Sequence, residues 1–210
     1  ITTTFLATPI FHLMVEENVD MFKNMKSIYV GGETLLPKYT NMLFTAYPNI
    51  KVYNAYGPAE ITVICCAMLI NRIYESYEDI PLGKIASNNT VYVLDKCQKL
   101  CPVNIPGDLY VFGDGLGLGY VNRPDLTRER FTYIDGFDGL SYRSGDLTKW
   151  NNNGEIRFMT RIDKQVKIRG QRIELSEIQN KMLELPELKE AVAIVVTNND
   201  NKYIIAYYTT

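Results

Sequence analysis

The sequence has one histidine, His12, and four cysteines, Cys65, Cys66, Cys97 and Cys101, in 210 residues. Cys97 and Cys101 are spaced like metal ligands, but no second Cys/His pair accompanies them, so a zinc site with the usual ligand set is not expected. Cys65 and Cys66 lie in the apolar run ITVICCAMLI and read as buried strand residues. All four read as structural thiols in a reducing cytoplasm. Nothing in the sequence brings a cysteine to His12, as a nucleophile pair would require. No apolar stretch approaches the roughly 20 residues that span a bilayer, and residues 1–14 lack the basic start of a signal peptide. Net charge is −2 and no long basic run stands out, so neither nucleic acid nor membrane is an expected partner. Repeats and low-complexity tracts are also lacking. Neither end has the polar look of a natural terminus, so a piece excised from a longer chain is expected.

What is present suffices for a core: 46% of the residues are hydrophobic, and the length suits one to two domains. MKSIYV (25–30) reads as a buried strand ending at Gly31-Gly32. Pro37 opens a helix running to about Tyr47. IKVYNAY (50–56) is the next strand, stopped by Gly57-Pro58, and ITVICCAML (61–69) another. This rhythm predicts an α/β layer over residues 1–80. From residue 81 the texture changes to short β runs at 90–95, 107–113, 140–146, 147–150 and 155–159, separated by Gly, Pro and Asn turns. A helix is expected over 124–131 within this β-rich stretch, which extends to 162. Residues 163–210 read as the start of a small α+β domain. It comprises a strand pair bent around Gly170, a helix over 174–185 with apolar residues at one-face spacing, and two strands around an NNDN turn.

Several segments can carry chemistry. NAYGPAE delivers Tyr56 from a strand into a Gly-Pro turn, with Glu60 four residues later. That offers an aromatic face for a purine, backbone opened by Gly57, and a carboxylate for a hard cation. An ordinary β-turn with a surface glutamate is equally compatible. YRSGDL places Asp146 after Gly145 on a strand-to-turn corner, where its carboxylate can accept from two ribose hydroxyls or simply cap the turn. GDGLGLGY (113–120) is glycine-rich but lacks a Lys-Ser/Thr pair, so a structural turn or bulge is favoured over a phosphate cradle. RIDKQVKIRGQRIEL alternates charged and apolar residues, as a half-buried strand with a cationic face would.

Taken in order, GGE, NAYGPAE, GDLYVFGDGLGLGYVNRP, YRSGDL and RIDKQVKIRGQRIEL resemble the adenylate-forming superfamily of acyl-CoA synthetases, luciferases and peptide-synthetase adenylation domains. The resemblance covers essentially the whole chain, and QVKIRGQRIELSEI is most similar to the nonribosomal peptide synthetase branch. It implies an α/β part plus a β-rich subdomain of the large adenylation domain, followed by the start of the small C-terminal domain. It implies a cytoplasmic ligase using ATP and Mg²⁺. An amino-acid carboxylate attacks the α-phosphate, pyrophosphate leaves, and the acyl group passes to the phosphopantetheine thiol of a peptidyl carrier domain. Neighbouring synthetase domains are the other implied partners.

Carried over by position, the resemblance assigns Gly31, Gly32, Asn54, Ala55, Tyr56, Gly57, Ala59, Asp146 and Arg161 to the nucleotide. Tyr56 stacks on adenine, Asp146 binds the ribose hydroxyls and Arg161 reaches the ribose region. Glu60 is the catalytic residue that holds Mg²⁺. Tyr29, Gly31, Ala55, Val63 and Ile64 match the amino-acid pocket, with Phe5 a looser candidate. These walls are small or apolar apart from Tyr29, so an uncharged, mid-sized amino acid is expected. Asp163 matches the interdomain hinge, and Gly170 the loop that approaches pantetheine.

The departures are Ala59 where the family has Thr, Ser144 for Thr, Leu118 for Arg, and Thr160 for the Gly before Arg161. Ala59 removes a hydroxyl expected at the phosphates, and one lost transition-state donor costs ~10²–10³ in rate. By the resemblance, the phosphate loop and the amine-binding Asp would precede residue 1, and the catalytic Lys would follow residue 210. The 210 residues alone are therefore expected not to catalyse adenylation. A D-alanine–carrier ligase or acyl-CoA synthetase relative is the alternative within the superfamily, and a degenerate docking module the alternative of another class.

Overall fold

The computed structural model describes residues 1–163, 165–168, 171–198 and 201–210, without the side chains of residues 198 and 201. They fall into two compact units, Ile1–Ile162 and Asp163–Thr210.

The first unit opens with strand β1 (Thr3–Ala7), helix α1 (Thr8–Asn18), strand β2 (Ser27–Gly31), helix α2 (Pro37–Ala46) and strand β3 (Lys51–Tyr56). The three strands run parallel and in register, Phe5 beside Tyr29 beside Tyr53. Parallel neighbours need crossovers, and the two helices supply them. Strand residues alternate between faces. Ile28, Val30 and Val52 point into a core shared with Phe11 and Val15 of α1 and Leu43 of α2. Tyr29, Gly31, Tyr53 and Ala55 therefore occupy the opposite face.

After β3 the chain reverses. A 3₁₀ turn (Ala59–Ile61) is followed by Thr62 and Val63 at positive φ, 58° and 73°. The Cys65 amide then bonds to the Tyr56 carbonyl, and strand β4 (Cys66–Ile70) returns antiparallel to β3. The strand expected over 61–69 is thus corrected in its first half. ITVI has the β-branched composition of a strand, but the antiparallel return requires those residues as the turn. Strand β5 (Lys84–Ile85) completes this sheet.

A second sheet follows: β6 (Asn89–Leu94), β7 (Gly107–Gly113), helix α3 (Pro124–Arg130), then β8 (Phe131–Tyr133), β9 (Leu140–Trp150) and β10 (Ile156–Arg161). Its order is β10-β9-β7-β6, with β8 also paired to β9. The two runs expected at 140–146 and 147–150 are one continuous strand. Gly145, at φ 73°, bends it without ending it. Three residues of β9, 144–146, stand opposite Leu109 alone on β7, a bulge that re-aims side chains locally. Asp146 consequently sits inside a strand and not on a strand-to-turn corner.

Cys65 and Cys66 are fully buried. Cys97 and Cys101 lie on the connection from β6 to β7, where the Asp95 carboxylate accepts from the Cys97 and Lys99 amides. Their spacing is that of a turn. No helix of the described residues is long and apolar enough to cross a membrane.

In the second unit β11 (Gln165–Ile168) pairs with β12 (Gln171–Glu174), and helix α4 (Leu175–Met182) leads to the hairpin of β13 (Glu190–Asn198) and β14 (Asn201–Thr209). The helix expected over 174–185 ends earlier. Residues 183–185 form a tighter turn in which the Leu185 amide bonds to the Met182 carbonyl, since Pro186 disfavours helical backbone at the residue before it.

Gly83 joins the two sheets of the first unit, accepting from the Ile156 amide at 2.9 Å. It has φ +91°, and a Cβ there would stand 2.2 Å from the Ala67 carbonyl oxygen. Gly136 has φ +85° with open space around it. Gly136→Ala is expected to cost only the left-handed penalty, about 1 kcal/mol. Gly83→Ala adds a backbone collision and is expected to cost on the order of 3 kcal/mol. Urea unfolding of the two variants compares them directly, and equal midpoints would refute the assignment.

Candidate nucleotide and substrate site

β3 ends on Tyr56, which is partly exposed as a ring. Its hydroxyl donates to Asp146 Oδ2 on β9, ninety residues along the chain. Arg161, at the end of β10, donates from Nη1 to Asp146 Oδ1 at 2.8 Å. β9 and β10 place Asp146 directly opposite Arg161 in register, which is why the pair forms. The Asp146 amide bonds to the Ser144 hydroxyl at 3.0 Å, so the bulge is closed on itself. Desolvation of the Tyr56 hydroxyl, then the Asp146 carboxylate beside it, push the phenol well above its ordinary range. It stays a donor at any working pH. An ionised carboxylate offers about four acceptor positions, so two partners leave Asp146 capacity for hydroxyls brought against it.

The turn after Tyr56 is compact. A Cβ on Gly57 would lie 2.5 Å from the Val63 carbonyl. Pro58 is extended and the 3₁₀ turn carries Ala59, which is exposed, and Glu60, which is half-buried. The Tyr120 hydroxyl donates to Glu60 Oε1 at 2.6 Å. Sequence reasoning did not single out Tyr120. The signal was its position at the end of the glycine-rich segment, which was read only as a turn.

On the face of the first sheet away from the helices, Gly31 and Ala55 are neighbours in register. A Cβ on Gly31 would stand 2.4 Å from the Ala55 carbonyl oxygen and 3.5 Å from the Phe5 ring. Phe5, Tyr29, Gly31 and Ala55 therefore form one surface. Tyr29 lies flat on Tyr53, with ring centroids 4.6 Å apart and planes 9° from parallel. Tyr53 is a second residue that sequence reasoning passed over, although the parallel register makes the pairing predictable. Gly32 follows at φ +101° with open space. Asn54 points the other way, its amide donating to the Pro81 carbonyl at 2.8 Å. That bond anchors the strand, and Asn54 is buried, so its side chain is structural. Val63, about half exposed, and Ile64 belong to the reversal that follows Glu60.

Asp163 opens the second unit, its Oδ1 accepting from the Gln165 amide at 3.2 Å. Gly170 lies outside the described residues.

Asp108 on β7 and Arg143 on β9 form another ion pair at 2.5 Å. Burial pushes the Asp108 carboxyl up, and Arg143 partly opposes this.

Tyr56→Phe keeps the ring and removes the donor to a buried carboxylate. It is expected to cost about 1–2 kcal/mol of stability, read as a lower urea midpoint at pH 7. An unchanged midpoint would show that the hydroxyl contributes nothing to holding the two sheets.

A family model described as AMP-binding enzyme matches residues 1–121. Tyrocidine synthase 3 of Brevibacillus parabrevis is 41% identical over 210 residues, covering 99% of this chain and 3% of that protein. Gramicidin S synthase 2 of Brevibacillus brevis is 42% identical, covering 99% of this chain and 5% of that protein. The chain thus spans a small part of the relatives it matches. Among solved structures, an artificially fused adenylation–PCP di-domain, NpsA-ThdA of Klebsiella oxytoca, superposes with a TM-score of 0.88 at 27% identity, covering 100% of this chain and 39% of that chain. The chain has the fold of an adenylate-forming domain, and it belongs to the AMP-binding enzyme family.

Proposed function

We propose that the chain supplies the nucleotide- and substrate-facing part of an adenylation domain that activates an amino acid with ATP and passes it to a carrier-bound phosphopantetheine. The observation that carries the reading is the Tyr56–Asp146–Arg161 arrangement. A flat aromatic face ends in a hydroxyl that touches a buried carboxylate. A purine stacked on the ring would bring its ribose toward the carboxylate, which has acceptor capacity for its hydroxyls. Arg161 holds the carboxylate in place through a charge-assisted hydrogen bond.

Mg²⁺ fits the donor set in a particular way. Among the described residues no cluster of three or more His, Cys, Asp or Glu could hold a metal alone, and Glu60 is a single carboxylate beside the nucleotide face. Mg²⁺ is commonly held by one or two carboxylates together with substrate phosphates. Glu60 would hold it with the triphosphate, and the ion would supply charge neutralisation at the phosphates. The chain's own contribution is positioning and the exclusion of alternatives. Phe5, Tyr29, Gly31 and Ala55 present no charge, which supports an uncharged, mid-sized amino acid as substrate.

Titration calorimetry of the 210-residue chain tests the nucleotide reading. AMP is expected to bind, and 2′-deoxy-AMP and 3′-deoxy-AMP each to bind roughly ten- to a hundredfold more weakly, because each forfeits a hydrogen bond to a charged group worth about 1.5–3 kcal/mol. Asp146→Asn should weaken AMP and flatten this discrimination. Equal affinities for AMP and both deoxy forms would sink the role of Asp146. An aminoacyl sulfamoyl adenosine with a neutral side chain should bind more tightly than its aspartyl or lysyl counterpart, and the reverse order would refute the substrate class.

Ala59→Thr restores a hydroxyl at an exposed turn position, where it meets no packing constraint. ATP affinity is expected to rise about tenfold with AMP affinity unchanged. No gain for ATP would show that position 59 does not face the phosphates.

A further inference from the structure

The glycine-rich segment 113–120 lacks the Lys-Ser/Thr pair of a phosphate cradle, and it lies against the Glu60 turn. The Gly117 amide donates to the Glu60 carbonyl at 2.7 Å. The Thr62 hydroxyl donates to the Gly115 carbonyl at 2.8 Å. A Cβ on Gly115 would stand 3.1 Å from the Ile61 carbonyl oxygen, so the approach is close. The segment ends on Tyr120, whose hydroxyl reaches Glu60 Oε1. Tyr120 is fixed in its turn. Its amide donates to Thr127 Oγ1 at 2.9 Å, and its ring meets Phe131 edge-on at 5.8 Å. Phe131 packs on Tyr142 in the core of the second sheet.

We propose that Tyr120 is a positioning residue: its hydroxyl, delivered by the glycine-rich segment, orients the Glu60 carboxylate for a nucleotide-bound divalent cation. The inference rests on the nucleotide reading above and deepens it at the metal. The bonds from the Gly117 amide and to the Gly115 carbonyl fix where the turn lies, but neither constrains the glutamate side chain. A glutamate loses substantial rotamer freedom when it is held in one place. The Tyr120 hydroxyl removes that freedom before the cation arrives, and it commits Oε1 to a protein partner. Partners of this kind, which touch the ligand group and not the metal, change metal affinity by roughly 10–100-fold when removed.

The test separates the metal from the nucleotide. For the 210-residue chain, calorimetry gives the affinity for AMP without metal, and the affinity for ATP with and without Mg²⁺. The ratio of the two ATP values is the Mg²⁺ gain, corrected for the ATP–Mg²⁺ equilibrium in solution. In Tyr120→Phe this gain is expected to fall about tenfold, with AMP affinity within twofold. Glu60→Gln should abolish the gain, and adding Tyr120→Phe to it should change nothing further. An unchanged gain in Tyr120→Phe overturns the proposal. So does loss of AMP binding in that variant, which would mark Tyr120 as merely structural. A parent chain that binds AMP but shows no Mg²⁺ gain overturns it while leaving the nucleotide reading intact. A parent chain that binds no AMP overturns both.

Discussion

The first unit depends on one contact between its two sheets at the site: the carboxylate of Asp146, which receives Tyr56 from β3 and Arg161 from β10. A carboxylate this buried is costly unless it is paired and hydrogen-bonded on both oxygens. Here both oxygens are engaged, one by a strand of each sheet. The arrangement therefore penalises any displacement of one sheet against the other that would strip a partner from the charge. The bulge at 144–146 is what turns Asp146 toward β3, and the Ser144 hydroxyl secures the bulge from inside the chain.

Much of this was legible in the sequence, and the failures have identifiable causes. The strands around Tyr29, Tyr56 and Val111 announce themselves as apolar runs bounded by glycine and proline. Residues 61–64 do not, because β-branched composition describes a preference for extended backbone and carries no information about where an antiparallel partner forces the chain to reverse. Helix α1 escaped because its apolar residues 10, 11, 13, 14 and 15 lack a clean one-face period. Phe11 and Val15 go to the core while Ile10 and Leu13 stay exposed. Thr8-Pro9 was its only start signal. Within the site, Tyr56 and Asp146 could each be named from their motifs, but each motif alone allowed a bland turn. Their mutual contact is a long-range fact that no window of sequence contains.

The glycine-rich segment illustrates the same limit from the other side. Judged against phosphate-binding loops it lacked the required residues, and a structural role was the better reading. The role has more content than the word suggests. Without a side chain, Gly115 lets the segment approach the Glu60 turn closely, and the segment exchanges hydrogen bonds with that turn. The segment thereby determines where the Glu60 carboxylate can be.

The first sheet has two faces with different obligations. Ile28, Val30 and Val52 are locked among helices, while Tyr29, Gly31 and Ala55 alternate with them and face away. Strand geometry thus separates the residues that hold the helices to the sheet from those on the opposite face. The outward set can therefore be substituted without disturbing the packing of the inward set. The exception is Gly31, where the Ala55 carbonyl leaves no room for a side chain, so any change in the shape of this face has to come from its neighbours.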